Sequence, residues 1–184
     1  MRVIGVVGYP ASGKGEFSRV AGEMGIPVVV MGDVIRAKAR EAGLGTTDAA
    51  LGEMAQRLRR EHGMDAIAVF TIPAVEATGA PLVIIDGLRG DAELRRFRSH
   101  FTDFTLIGIV SAFGRRLQRL SARGRSDDLS RAEDLRNRDS REEAFGLGRA
   151  LAEADLVIEN DGSLEAFGEK VRSLLGEIRS GGPR

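Results

Sequence analysis

Apolar and polar positions along the 184-residue chain fall into two alternating kinds of segment. Four short apolar runs rich in β-branched residues stand out: Val3–Val7, Val28–Val30, Leu82–Ile85 and Leu106–Val110. A weaker fifth is Leu156–Ile158. Each is nearly continuous rather than alternating, the pattern of a parallel strand that is covered on both faces. Between the runs, apolar residues recur every three or four positions, as amphipathic helices require. Phe17, Val20, Ala21 and Met24 make one stripe; Leu164, Phe167, Val171, Leu174, Leu175 and Ile178 make the last. Ser130-x-x-Glu133 and Ser140-x-x-Glu143 both have capping-box form and predict two short helices with a break near Asp139.

Strands alternating with helices predict a three-layer α/β domain: a five-stranded parallel sheet with helices on both faces and right-handed crossovers. The stretch 33–79 is too long for one crossover helix and predicts two or three helices projecting as a subdomain. Neither a repeat nor a linker interrupts the chain, so residues 1–184 are expected to form a single domain.

Composition narrows the function classes. With 42% hydrophobic residues the chain can bury a real core. Its 27 basic and 27 acidic side chains cancel, so no global field recruits nucleic acid or an anionic membrane. No stretch approaches the ~20 apolar residues that a membrane span needs. The absence of cysteine excludes disulfides and thiolate metal sites and fits a cytoplasmic protein.

The densest chemistry follows the first apolar run. Gly8-Tyr9-Pro10-Ala11-Ser12-Gly13-Lys14-Gly15-Glu16 reads G-x-x-x-x-G-K, with glycine where Ser or Thr usually follows the lysine. Glycines let backbone N–H groups turn inward around phosphate oxygens, and the helix N-terminus adds positive potential. Lys14 is placed to reach the β- and γ-phosphates of a nucleotide. Gly15 cannot supply the hydroxyl that ordinarily ligates Mg²⁺. This predicts an ion held mostly by water and nucleotide oxygens.

The Gly13-Lys14-Gly15 run resembles the loop of adenylate kinases and other nucleoside monophosphate kinases, G-x-P-G-S-G-K-G-T, with Ala11 in place of the second glycine and Glu16 in place of the threonine. Gly32-Asp33-Val34-Ile35-Arg36 resembles their acceptor-binding segment, which implies that Asp33 and Arg36 face the acceptor. Read from the residues alone, the same pair is an i,i+3 ion pair. The stretch Glu23-Met24-Gly25-Ile26-Pro27-Val28 leading to Asp33 is similar to dephospho-coenzyme A kinases. So is Ala154–Ser163, where the resemblance puts the turn beside the adenine and the bland reading makes Ser163 a helix cap. Asp86-Gly87-Leu88-Arg89 is similar to the D-G-F-P-R signature of adenylate kinases, one residue shorter; it implies Asp86 at the metal and Arg89 at the acceptor phosphate. Gly63-Met64-Asp65-Ala66 looks like the mark of a group of archaeal adenylate-kinase-related P-loop proteins.

Arginines crowd the stretch after the fourth apolar run. Arg115 and Arg116 read as a solvated helix face, and Arg131 as a partner for Asp127 or Asp128. Arg125-x-Asp127-Asp128 resembles the lid of short nucleoside monophosphate kinases, placing a lid over about 119–139. The resemblance implies that Arg119, Arg125 and Arg136 contact ATP or the transferring group, with Arg138 as the alternative to Arg136. Phosphoryl transfer asks chiefly for positioning and charge neutralisation, which guanidinium forks provide.

The resemblance thus implies a P-loop kinase that uses Mg²⁺ and moves the γ-phosphoryl group of ATP to a nucleotide-like acceptor, in first place a nucleoside monophosphate. Dephospho-coenzyme A is the rival acceptor. An ATP-binding regulatory switch, hydrolysing slowly without acceptor, is the rival class.

Overall fold

The computed structural model describes residues 1–121 and 128–181, without the side chains of 48, 49 and 128–131. Strand β1 (Arg2–Val7) is followed by α1 (Lys14–Glu23), β2 (Val28–Val30) and three helices, α2 (Met31–Glu41), α3 (Asp48–His62) and α4 (Ala66–Ala77). Then come β3 (Leu82–Leu88), α5 (Asp91–His100), β4 (Phe104–Val110), α6 (Phe113–Ser121) and α7 (Asp128–Ala144). The chain continues through α8 (Leu147–Ala152), β5 (Leu156–Glu159) and α9 (Leu164–Arg179). All strand pairs are parallel, in the order β2-β3-β1-β4-β5, so the five-stranded sheet is as expected.

Strand alternation sorts the core into two layers. On one face Val3, Val7, Val83, Ile85 and Leu106 pack with α2, α3, α4, α5 and α8. On the other, Ile4, Val6, Ile84, Ile107, Ile109 and Ile158 pack on α1 and α9 through Phe17, Val20, Phe167, Val171 and Leu175. Full burial of each such side chain stabilises the fold by about 1.5–3 kcal/mol. Leu164, counted in the apolar stripe of the last helix, is exposed; Ser163 caps that helix by accepting from the Ala166 N–H at 3.1 Å. No helix among the described residues is long and apolar enough to cross a membrane.

Three expectations need correction. Helices α2 and α4 do not project: both lie on the sheet, with Ile35, Ala39, Ile67 and Val75 in its core, and only α3 stands one layer out. The cause is that α2 starts at Met31, directly after β2, with no loop to carry it away. Helix α7 runs unbroken through Asp139 and Ser140. Asp139, where the break was expected, turns sideways to Arg116, and the chain breaks instead at Gly146 (φ +92°). Strand β3 continues past Ile85 to Leu88 through a bulge: Val6 pairs with Asp86 and Val7 with Leu88. The extra residue, Gly87, has φ +99°, which L side chains rarely adopt. The bulge returns Leu88 to the core and brings Arg89 to the rim of the sheet.

One buried ion pair joins the outboard helix to the rest. Arg59 of α3 donates to Glu93 of α5 at 2.8 Å, and their side chains are 5% and 2% exposed. Burial raises the Glu93 pKa while Arg59 opposes that rise. Glu93 also accepts from the Arg89 N–H at 2.8 Å. Removing one partner strands the other charge, so Glu93→Ala is expected to lower the unfolding free energy in urea by about 3–5 kcal/mol. Arg59→Met with Glu93→Gln removes both charges and keeps an acceptor for the Arg89 N–H; its expected cost is below about 2 kcal/mol. Equal losses in the two variants would contradict this account of the pair.

Candidate functional site

The loop between β1 and α1 curls over the C-terminal edge of the sheet, where ligands of open α/β folds bind. Gly13, the residue before α1, has φ +121°. A Cβ there would also collide with the Asn160 amide. Ala11 has φ +61°, and among the described residues it is the one non-glycine with positive φ. The nucleoside monophosphate kinase pattern has glycine at this place, and the left-handed conformation gives the reason; alanine here costs about 1–2 kcal/mol.

The loop is held from behind. Asn160, buried at the end of β5, donates to the Ser12 carbonyl at 2.8 Å. Arg119 of α6 donates to Asn160 Oδ1 at 3.0 Å, Ser111 Oγ at 3.1 Å and the carbonyls of Ala11 and Ser12 at 3.3 and 3.4 Å. Arg119 therefore sits behind the loop here and does not line the cleft in front of it. Inside the loop, Lys14 Nζ donates to the carbonyls of Gly8 and Tyr9. Desolvation among these neighbours lowers its pKa to about 8, with Asp86 opposing the shift. The Ser12 hydroxyl is buried without a partner among the described residues.

Asp86 accepts from Ser18 Oγ at 2.7 Å, one helical turn beyond Lys14. Gly15 is exposed and carries no side chain, and Glu16 turns away to Arg19, whose hydrogen bond is the main cause of its lowered pKa. No cluster of three His, Asp or Glu side chains that could hold a metal occurs among the described residues. One carboxylate beside a phosphate loop suits an Mg²⁺ ion that keeps several waters.

A cleft of about 410 Å³ opens between this loop and the helices after β2. Gly8, Pro10 and Lys14 line it from the loop, Arg36 from α2, and Leu88 and Arg89 from the β3 end. Asp33 and Arg36 form the ion pair that their spacing allows, at 2.9 Å, with Asp33 largely exposed. Arg89 donates to Glu142 of α7 at 2.6 Å. Of the lid candidates, Arg138 lines the cleft, whereas Arg136 lies over the Phe113 ring at 5.3 Å. Arg125 lies outside the described residues, as does the expected pairing of Arg131.

Arg116 is not on a solvated face. It is buried, grips Asp139 with two bonds of 2.8 and 2.7 Å, donates to the Pro10 carbonyl at 3.2 Å and stacks over Tyr9. The adjacent Arg115 is exposed as expected. Two further residues that the sequence reading passed over belong here. Asn160 is the clamp on the loop, and Arg59 lines the cleft from α3. Arg59 lay within a basic cluster at the end of α3, and its burial depends on α5, which sequence spacing does not reveal.

Comparison with known proteins agrees with this fold. The AAA domain family matches residues 7–136. A UPF0200 protein of Methanoculleus marisnigri is 59% identical over 175 residues, covering 95% of this chain and 96% of its own. Dephospho-CoA kinase from Campylobacter jejuni superposes with a TM-score of 0.59 at 16% identity, covering 98% of this chain and 99% of that one. Shikimate kinase from Aquifex aeolicus gives 0.53 at 16% identity, covering 98% and 99%. At these identities the two structures establish the P-loop kinase fold alone. The chain belongs to the UPF0200 family, with an AAA domain spanning residues 7–136.

Proposed function

We propose that this protein is an ATP-dependent kinase that transfers the γ-phosphoryl group to a nucleotide-like acceptor, in first place a nucleoside monophosphate. The supporting observation is one cleft lined by cations from separate elements: Lys14 from the phosphate loop, Arg36 from α2 and Arg89 from the β3 end. Two cation sets facing one space suit two phosphate-bearing ligands, which a nucleotide switch does not need. The kinase fold of the dephospho-CoA and shikimate kinases supports the same class.

In this reading the loop N–H groups and the first turn of α1 receive the ATP phosphates, and Lys14 trades its carbonyl partners for phosphate oxygens. Mg²⁺ would be held by Asp86 with nucleotide oxygens and water, supplying charge neutralisation when bound. Arg36 and Arg89 hold the acceptor phosphate, with Arg89 leaving Glu142 to do so. Of the lid arginines, Arg138 already lines the cleft and Arg125 is assigned to closure, while Arg119 and Arg136 act on ATP only by leaving their present partners, the loop clamp and the Phe113 ring. Closure excludes water that would otherwise take the phosphoryl group.

Three outcomes follow. The empty loop loses the Lys14 proton as pH rises past about 8, whereas bound polyphosphate favours the charged ammonium. ATP binding at pH 9 should therefore take up a proton and weaken with rising pH, read by calorimetry in buffers of different ionisation heat. Uptake indistinguishable from zero at pH 9 would exclude Lys14 as the phosphate ligand. Asp86→Asn should raise the Mg²⁺ concentration needed for half-maximal turnover, and an unchanged requirement removes Asp86 from the metal. Offered Mg-ATP with each nucleoside monophosphate and with dephospho-coenzyme A, the protein should phosphorylate one of them. Arg36→Ala should raise that acceptor's KM about 10–100-fold, the loss of a charged hydrogen bond, with the KM for ATP little changed. Slow ATP hydrolysis that no acceptor stimulates would favour the switch.

A further inference from the structure

Arg59 does more in this cleft than pin α3 to α5. A guanidinium carries five N–H donors and no acceptor. Among the described residues the side chain makes one hydrogen bond, to Glu93, and lays its face over Phe145 with Cζ 4.2 Å from the ring centroid. The residue is only 6% exposed, yet its remaining N–H groups are not sealed off and it lines the cleft wall. They open into the cleft. Held beside Phe145 with no protein acceptor among the described residues, these N–H groups are available to a ligand that displaces water from the cleft.

The rest of that wall makes room for an occupant. Gly52, Gln56 and Arg59 follow one another at spacings of four and three, which puts them on one face of α3. The adjacent face buries Met54 and Leu58. Glycine at 52, inside the helix, weakens α3 by about 0.5–1 kcal/mol relative to alanine. A Cβ there would meet nothing within 4 Å among the described residues, so their packing does not demand the glycine. It keeps the cleft wall low on the face that carries Arg59 two turns further along α3. The lining fits an anion: Lys14, Arg36, Arg59, Arg89, Arg138 and Arg141 line the cleft with Glu142, and the carboxylates of Asp33 and Glu93 that pair Arg36 and Arg59 are not among the lining residues.

We infer that the acceptor carries two anionic groups: a phosphate for Arg36 and Arg89, and a second planar or tetrahedral oxyanion, carboxylate or phosphate, seated on the free edge of Arg59 along the α3 face that carries Gly52. Fork geometry suits such oxyanions, and low dielectric around the Arg59–Glu93 pair strengthens the contact. Glu93 fixes the guanidinium in plane and joins it to the Arg89 backbone, so the two anion seats share one support. This inference rests on the reading of the cleft as the acceptor site and adds the acceptor's second charge.

Equilibrium binding of two matched pairs of probes tests it without requiring turnover. Orotidine 5′-monophosphate differs from uridine 5′-monophosphate by a carboxylate, and adenosine 3′,5′-bisphosphate from adenosine 5′-monophosphate by a phosphate. In at least one pair the doubly anionic member should bind about tenfold or more tighter, as a charged bidentate contact implies. The pair that shows the advantage identifies the oxyanion. Arg59→Met with Glu93→Gln should reduce the advantage to below about threefold. Gly52→Leu, which fills the cleft on the same helix face without touching the pair, should do the same. Both variants should still bind ATP, which serves as the control for folding. A purely structural Arg59 would change stability but leave discrimination within a pair intact. Equal binding within both pairs, failure of all four probes to bind, or an advantage that survives in both variants would overturn the inference. Discrimination as described, without phosphoryl transfer from Mg-ATP, would leave this site standing and bring down the kinase reading.

Discussion

Everything at the C-terminal edge of this sheet depends on where the Lys14 ammonium can go. A lysine desolvated inside a loop has only carbonyl oxygens to satisfy it, and here it takes those of Gly8 and Tyr9. That arrangement holds the charge at a cost, visible in a pKa near 8 rather than the usual value above 10. The loop must then be rigid enough not to collapse around it. Asn160 and Arg119 provide that rigidity from behind, and Gly13 and Ala11 provide the backbone turns that only positive φ allows. The loop is strained and clamped, and Lys14 is better matched to a polyphosphate than to its present partners.

Helix α7 supplies the counter-charges in front. Asp139 neutralises Arg116, Glu142 meets Arg89, and Glu143 accepts from the Tyr9 hydroxyl. Each contact joins α7 to the phosphate loop, to α6 or to the β3 end, so one helix face spans the cleft rim. Among the described residues, one oxygen of Glu142 is buried without a partner, and so is Arg116 Nε, which marks this contact as imperfectly satisfied. The carboxylates hold these cations without the full complement of bonds that phosphate oxygens could give them.

What was legible in the sequence follows from the range of the interactions involved. All five strands and the phosphate loop could be read because they rest on local signals: continuous apolar runs, a glycine pattern and a lysine at fixed spacing. The Asp33–Arg36 pair was readable for the same reason. Arg116, Arg59 and Asn160 were missed because their partners lie far along the chain. Arg116 is buried by Asp139, Pro10 and Tyr9, and Arg59 by Glu93. Asn160 acts on Ser12, 148 positions away. Ser140 carried a capping-box pattern inside a continuous helix, because a local motif says nothing about whether the preceding turn is already helical. The bulge at Gly87 was hidden in the shortened Asp-Gly-Leu-Arg signature, since register against β1 is not a local signal.

The central claim is that one cleft holds two phosphate-bearing ligands at once, in line for transfer. A dinucleoside pentaphosphate, which joins donor and acceptor through one phosphate chain, measures that directly. If loop and acceptor arginines serve a single reaction, titration should show this analogue binding at least about a hundredfold tighter than ATP, since the second site is engaged without a second association cost. An affinity no better than that of ATP would mean that the acceptor-side arginines are not part of the same site, and would contradict the account.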